Sequence, residues 1–137
     1  MRVLLAIFTS LGVLIMLAGI AHAQPDEICF TWFAANGAAA NHPQKLTYNY
    51  DGTFACYAAK DSMDPTRRGT YMIIKKWKDE EANVWYQIKS FGPGDESGYE
   101  LVKISDQGRK LEIVRASDTA PLEVSANDNS YCQYVRR

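Results

Sequence analysis

The segment KLTYNYDGTFACYAA, residues 45–59, decides the fold class of this chain. Apolar and polar residues alternate through 45–50 and again through 53–59, which is the period of a β-strand with one buried face. Asp51 and Gly52 separate the two runs, and both residue types tolerate the positive φ of a tight hairpin turn. The segment therefore predicts an antiparallel hairpin.

Further strands follow this hairpin, joined by polar or glycine-rich connections. The strands are predicted at 69–77, 84–91, 99–105, 109–116 and 131–137. The connections are predicted at 60–68, 78–83, 92–98, 106–108 and 117–130. Because no helical period separates the strands, we predict an all-β, antiparallel, up-and-down meander of seven or eight strands.

Several strands are apolar on both faces. Tyr99 and Leu101 point to one side of their strand, and Val102 and Ile104 to the other. A flat sheet with one solvated face does not need this pattern, whereas a closed barrel does, as does a sheet covered by the N-terminal segment. Closure also removes the exposed edges of a small sheet. We therefore predict that the meander closes into a small barrel.

The segment 24–44 fits two interpretations. In the first, a short N-terminal helix begins near Pro25 and ends at Asn36. In the second, residues 28–34 form a strand rich in cysteine and aromatic residues. Both interpretations remain open from the sequence.

The first 23 residues have the layout of a secretory signal peptide. Arg2 precedes an apolar run that is short for a membrane span, and Ala21 and Ala23 place small residues around a cleavage position. We therefore expect a signal peptide at 1–23 and a single domain at 24–137. The expected location is periplasmic or secreted, with no stable membrane anchor after cleavage.

The chain of 137 residues has a formal net charge of −1 at pH 7 and no run of lysine or arginine. Binding to nucleic acid depends largely on neutralising phosphate charge. We therefore expect no nucleic-acid partner.

Three cysteines follow the predicted cleavage site: Cys29, Cys56 and Cys132. An exported protein usually oxidises a pair of its thiols. A Cys29–Cys132 disulfide would close nearly the whole domain and add at most roughly 4–5 kcal/mol in the chain-entropy account. It is the leading pairing, and Cys56 bridged to either end is its main competitor. We expect the remaining thiol to behave as a small buried hydrophobe.

The residues that carry enzyme chemistry do not assemble into a recognisable pattern. His42 lies beside a proline in a predicted loop, and Cys56 lies inside a strand, where a core or bridged role is favoured over a nucleophile. Asp79, Glu80 and Glu81 share one solvated turn, whereas a glycosidase needs two carboxylates across a cleft. We predict no catalytic residue, no metal site, no cofactor and no enzymatic activity.

Aromatic residues are the strongest remaining feature. Tyr71, Ile73 and Trp77 are predicted to share one strand face. In the next strand, Tyr86 and Trp85 are predicted to point to opposite faces. Such residues either fill a core or line a ligand cup or partner-binding patch. The candidate ligand-binding residues are Trp32, Tyr71, Trp77, Tyr86 and Tyr99.

The early Trp32, the sequences YDGTF at 50–54 and RGTY at 68–71, and the late Arg136 together resemble the lipocalin-like, or calycin, class of small β-barrels. In that class a Gly-x-Trp motif on the first strand packs against a late arginine, and this chain has Phe30 at the glycine position. The resemblance implies a cup-shaped barrel that binds small apolar molecules, or a protein partner at its open end.

We therefore expect an exported, non-enzymatic binding protein that holds a small apolar ligand in its barrel. The alternative is a protein-binding module, such as an inhibitor of a lysozyme or protease. A second, weaker resemblance to small periplasmic inhibitors with compact β-barrels implies this alternative. Such a protein-binding module would use the loops at 60–68, 78–83 and 92–98.

Overall fold

The computed structural model describes residues 27–36, 38–39 and 41–137. The strands are β1 (Thr31–Ala34), β2 (Lys45–Tyr48), β3 (Thr53–Tyr57), β4 (Arg67–Lys78), β5 (Val84–Phe91), β6 (Ser97–Ser105), β7 (Lys110–Ala116) and β8 (Cys132–Val135). Each strand pairs antiparallel with its neighbours in sequence, and β8 pairs with β1 to close a barrel. The predicted all-β, up-and-down barrel is confirmed.

The N-terminal part of the described chain is a strand. Residues 31–34 form β1, so the helical interpretation is wrong within 27–36. The predicted signal peptide, its cleavage position and Pro25 lie outside the described residues. Within the described ranges, no helix is long and apolar enough to cross a membrane.

The β2–β3 hairpin forms where the sequence predicts it. Leu46 pairs with Cys56 across the two strands. Gly52 takes the positive φ, at 82°, and its backbone N–H donates to the Asn49 carbonyl at 3.1 Å. The Asp51 carboxylate accepts hydrogen bonds from the backbone and the hydroxyl of Thr53, at 3.0 and 2.6 Å. These local bonds set the register of the hairpin.

Large side chains fill the barrel interior. One cluster of buried residues includes Trp32, Leu46, Tyr86, Ile88, Val102, Ile104, Leu111, Ile113 and Tyr134. Fully burying a large apolar side chain contributes about 1.5–3 kcal/mol to folding. This cluster is therefore the main source of stability.

Strand β6 alternates as predicted, with Val102 and Ile104 in the interior cluster and Leu101 outside it. Leu101 and its β7 partner Val114 are nevertheless fully buried. The connection after β7 folds back at this place, since the Tyr131 hydroxyl donates to the Glu112 carboxylate on β7 at 2.8 Å. We infer that this connection covers the outer side of β6 and β7 here.

Strand β4 contains a bulge that decides where its tryptophan points. Ile73 lies opposite Ile88, but Lys75 lies opposite Gln87, so one extra residue is inserted between them. A bulge of this kind inverts the alternation of side chains beyond it. The prediction that Tyr71, Ile73 and Trp77 share one face is therefore wrong for Trp77, which lies outside the barrel.

The three cysteines are buried and none is bonded to another. Cys29 precedes β1 and Cys132 begins β8, and these two strands are antiparallel, so the two thiols lie toward opposite ends of the barrel. A disulfide needs Cα atoms roughly 4.4–6.8 Å apart. The predicted Cys29–Cys132 disulfide is therefore wrong. The competing bridge from Cys56 is also absent, since Cys56 is a free thiol.

The two ends of the barrel are built differently. The turn end carries the connections 49–52, 79–83 and 106–109 together with the segment before β1. There the buried Ile28 closes the end, and its carbonyl accepts a hydrogen bond from the Trp32 indole at 3.0 Å. The loop end carries the described part of the connection 35–44 and the connections 58–66, 92–96 and 117–131.

Candidate functional site

The five aromatic residues predicted to bind a ligand do not form one cup. Trp32 and Tyr86 are fully buried in the core, and Tyr71 packs against that core from inside the barrel. Trp77 and Tyr99 lie on the outer surface, opposite Trp85 and Lys89 respectively. The structure therefore divides this set between the interior and the exterior.

The inward members are held by structural hydrogen bonds at the turn end. The Tyr71 hydroxyl donates to the Asn49 carbonyl at 2.8 Å and lies 3.3 Å from the Cys29 sulfur. The Tyr86 hydroxyl donates to the Glu27 carboxylate at 3.0 Å. These tyrosines join the segment before β1 to the barrel wall.

The outer surface of β4, β5 and β6 carries a group of aromatic, aliphatic and basic side chains, which we call the aromatic–lysine face. Its members are Met72, Ile74, Lys75, Trp77, Trp85, Lys89, Phe91, Tyr99 and Lys103. At its centre the rings of Trp77 and Trp85 are stacked across the strand pair, with centroids 5.8 Å apart and planes 7° from parallel. Met72, Ile74 and Phe91 are 54%, 49% and 38% exposed. Exposed apolar side chains that cluster in this way are typical of interaction sites.

Each lysine of this face lies over an aromatic ring. The ammonium of Lys75 is 5.0 Å from the centre of the Trp77 ring, and that of Lys103 is 5.4 Å from Trp85. The Lys89 ammonium lies 5.4 Å from the Tyr99 ring. Cation–π contacts at exposed sites contribute about 0.5–1 kcal/mol each. They hold the positive charges close to the aromatic surface.

The outward positions of β4, β5 and β6, all of them within the described residues, include no aspartate or glutamate. The nearest acid to the stacked pair is Asp79 in the following turn, which accepts a hydrogen bond from the Trp85 indole at 2.8 Å. That bond, together with those from Asn83, lowers the pKa of Asp79 to about 2. The outward charges of these three strands are therefore positive, and the acids that border them are Asp79 and, opposite Lys103 on β7, Glu112.

A second feature lies inside the barrel at its loop end, and its two charged residues, Glu100 and Arg115, were not predicted as site residues. Glu100 is only 5% exposed, and its carboxylate accepts a hydrogen bond from the Tyr48 hydroxyl at 2.5 Å. Arg115 lies 3.6 Å from the other carboxylate oxygen. Burial, and then the negative charge of Glu100, raise the pKa of Tyr48 well above its ordinary value.

The same ion pair alters the titration of Arg115. Burial by itself lowers the pKa of this guanidinium, but attraction to Glu100 and to neighbouring groups outweighs burial, so the pKa is raised. Arg115 is therefore held as a cation inside the barrel. The sequence could have indicated that both side chains point inward, because Glu100 lies two residues from Val102 on β6 and Arg115 lies two residues from Ile113 on β7. The alternation of side chains along a strand does not by itself show whether a charged residue is buried in the barrel or exposed to solvent.

The ion pair opens onto a cleft of about 330 Å³, which we call the loop-end cleft. It is lined by Asn41, His42, Pro43, Cys56, Thr66, Arg67, Glu100, Arg115 and Ser130. Burial raises the pKa of the Cys56 thiol, which disfavours the nucleophilic thiolate. The polar and charged groups of the lining could contact a polar ligand. Among the described side chains, no group of three or more His, Cys, Asp or Glu is placed to hold a metal ion.

No protein-family model, curated protein sequence or solved structure matches this chain. The lipocalin-like relationship stays a prediction, because a closed eight-stranded barrel is shared by families with many functions. The function is therefore argued from the two surfaces described above.

Proposed function

We propose that the protein is an exported, non-enzymatic binding protein whose aromatic–lysine face docks onto an acidic surface of a partner protein. The observation that carries this proposal is the stacked Trp77–Trp85 pair, flanked by lysines on three strands whose outward positions, all described, carry no aspartate or glutamate. Export rests on the sequence of residues 1–23. The proposal follows the protein-binding alternative, with strands in place of the loops that the sequence suggested.

The apolar component of the face supports a protein partner. Tryptophan and tyrosine are enriched among the residues that dominate protein–protein binding energy. Trp77, Trp85 and Tyr99 stand on the longest strands of the barrel, so they form a broad surface rather than a narrow pocket. A surface of this shape fits another folded surface better than it fits a small molecule.

The charge of the face supports an acidic partner. Lys75, Lys89 and Lys103 present three ammonium groups among the aromatic rings. Complementary charge accelerates association and fixes orientation, and its effect weakens as salt screens it. We therefore expect the association to slow as the salt concentration rises.

The small apolar ligand expected from the sequence has weaker support. An eight-stranded barrel is wide enough either for packed side chains or for one small ligand. Here Trp32, Tyr86 and Tyr134 are fully buried within the interior cluster. A ligand of that kind would have to displace these rings from the core.

A random peptide display selection against the purified full chain tests the proposed function. We expect the selected peptides to be rich in aspartate and glutamate, with apolar residues between the acids. The double variant Trp77→Ala/Trp85→Ala should weaken their binding about 30-fold, the effect of losing one strong hot spot. Tyr50→Ala is the control, since Tyr50 is an exposed aromatic residue outside the face.

Two outcomes would contradict the proposal. In the first, the selected peptides carry no excess of acidic residues. In the second, the double variant binds them as tightly as the unmodified chain does, which would place the binding surface elsewhere.

A further inference from the structure

The loop-end cleft brings together two arginines from opposite walls of the barrel. Arg67 begins β4 and Arg115 lies near the end of β7, with β5 and β6 between these strands. Both side chains line the same cleft of about 330 Å³. The Arg67 side chain is 37% exposed and that of Arg115 is 25% exposed, so a ligand in the cleft can reach them.

The lining charges leave one positive charge without an interior partner. Glu100 is the carboxylate of the lining, and it is paired with Arg115 and bonded to Tyr48. Arg67 is therefore the cation that a ligand would meet. A guanidinium is a planar fork of N–H donors whose geometry matches a carboxylate.

The present partner of Arg67 is a carboxylate on a surface loop. Glu96 lies 3.5 Å from the Arg67 guanidinium, and its side chain is 64% exposed. Exposed ion pairs of this kind are weak and readily exchanged. Gly92 permits this approach, because a Cβ at that position would lie 2.6 Å from the Glu96 carboxylate and 2.8 Å from the Arg67 guanidinium.

We propose that the loop-end cleft is a second binding site, separate from the aromatic–lysine face, for a small organic anion with one carboxylate. The ligand carboxylate replaces Glu96 on Arg67, while Arg115 and Glu100 remain paired as the polar wall of the site. The volume lies at the small end of the range for ligand pockets, about 300–1,000 Å³, so the ligand is small. Once Glu96 is displaced, the one charge of Arg67 is matched by a single negative charge on the ligand.

Titration of the full chain with benzoate tests this site, with benzamide as the probe of the same shape that lacks the charge. Calorimetry gives the affinity, and NMR of the arginine Nε–H groups reports which guanidinium is contacted. We expect benzoate to shift the Arg67 signal and benzamide to leave it unchanged. Equal effects of the two probes, or no effect of benzoate on Arg67, would overturn the proposal.

Three variants refine the test. Arg67→Gln should weaken benzoate binding about ten-fold, since it removes the charged donor. Glu96→Gln should tighten binding about two- to five-fold, because it removes the competing carboxylate. Arg68→Gln is the matched control and should leave the affinity unchanged, since Arg68 lies next in sequence but is exposed on the outer side of β4.

Each variant also has a result that contradicts the site. Unchanged affinity in Arg67→Gln would overturn it, as would an equal loss in Arg68→Gln. Should Arg67→Gln fail to fold, Glu96→Gln still decides, because Glu96 lies on an exposed loop and its substitution leaves the core untouched. Failure of Glu96→Gln to tighten binding would then overturn the proposal.

Discussion

Trp32 and Trp77 are the same type of residue in one barrel, and they have opposite roles. Trp32 is fully buried at the turn end, and its indole N–H is bonded to the backbone of Ile28. Trp77 is stacked on Trp85 at the outer surface, beside Lys75. The inner aromatic residues belong to the interior cluster, whereas the outer ones lie outside that cluster. An aromatic residue outside a filled barrel is therefore the better candidate for binding.

The largest expected effect separates these two tryptophans. Trp32→Ala should lower the free energy of unfolding by about 3–5 kcal/mol, because it leaves a cavity in the core. Trp77→Ala should cost less than about 1 kcal/mol, because the residue lies on the surface. Urea unfolding of both variants measures the difference. Similar losses in the two variants would mean that Trp77 is part of the structural core.

A smaller effect is expected at the interior ion pair. Glu100→Gln leaves the Arg115 cation without its buried partner and should cost about 2–3 kcal/mol of unfolding free energy. Glu96→Gln removes a carboxylate from an exposed pair and should change stability by less than about 0.5 kcal/mol. Urea unfolding at neutral pH compares them. A neutral outcome at Glu100 would show that the interior charge is dispensable to the fold.

Alkaline pH should weaken the interior more than the surface. The pKa of Tyr48 in the folded state is raised above its ordinary value of 10.0, by burial first and then by Glu100. The folded chain therefore holds this proton more tightly than the unfolded chain does. The contribution of Tyr48 to the free energy of unfolding is complete below about pH 10. It falls as the pH rises above that value, by at most about 1.4 kcal/mol per pH unit for one tyrosine.

Tyr48→Phe tests this assignment. Urea unfolding as a function of pH should show a shallower alkaline loss in the variant than in the unmodified chain. Part of the loss should remain, because burial and the hydrogen bond to Glu112 also raise the pKa of Tyr131, to about 12. An identical pH profile in the variant would assign the alkaline loss to other groups.

The smallest expected effect concerns the edge of the aromatic–lysine face. Hydrogen bonds from the Trp85 indole, and then from Asn83, lower the pKa of Asp79 from its ordinary 3.8 to about 2. The stability that the ionised Asp79 carboxylate contributes to the fold is therefore present above about pH 4 and is lost as the pH falls toward 2. The NMR signal of the Trp85 indole N–H should move with a midpoint near 2, with the Trp77 indole as the internal control. A midpoint near 3.8 would mean that the bond contributes little to the position of Trp85.

Much of the fold was predictable because the signals for it are local. Strand β5 occupies the predicted residues 84–91, and the β2–β3 turn forms at Gly52. These features depend on strand alternation and on a residue that accepts positive φ, and both can be read from a few neighbouring positions.

The candidate sites were less predictable because they depend on small breaks in that pattern. Ile73 and Ile74 are both apolar, so nothing in the sequence marks the bulge that moves Trp77 to the outside. Glu100 and Arg115 are charged residues at inward positions, and only their pairing across β6 and β7 makes the burial tolerable. The expected cysteine pairing was wrong because spacing along the chain does not report the ends of the barrel at which the thiols lie.

The sequence by itself determined that this chain forms antiparallel strands with two apolar faces, since alternation and turn chemistry act between near neighbours. The tertiary structure decided which of the two faces of each strand points inward, because barrel closure and one bulge set the parity of every side chain. That parity separates the packed aromatic residues from the exposed ones, and it brings Arg67 and Arg115 to one cleft. Both proposed sites follow from it.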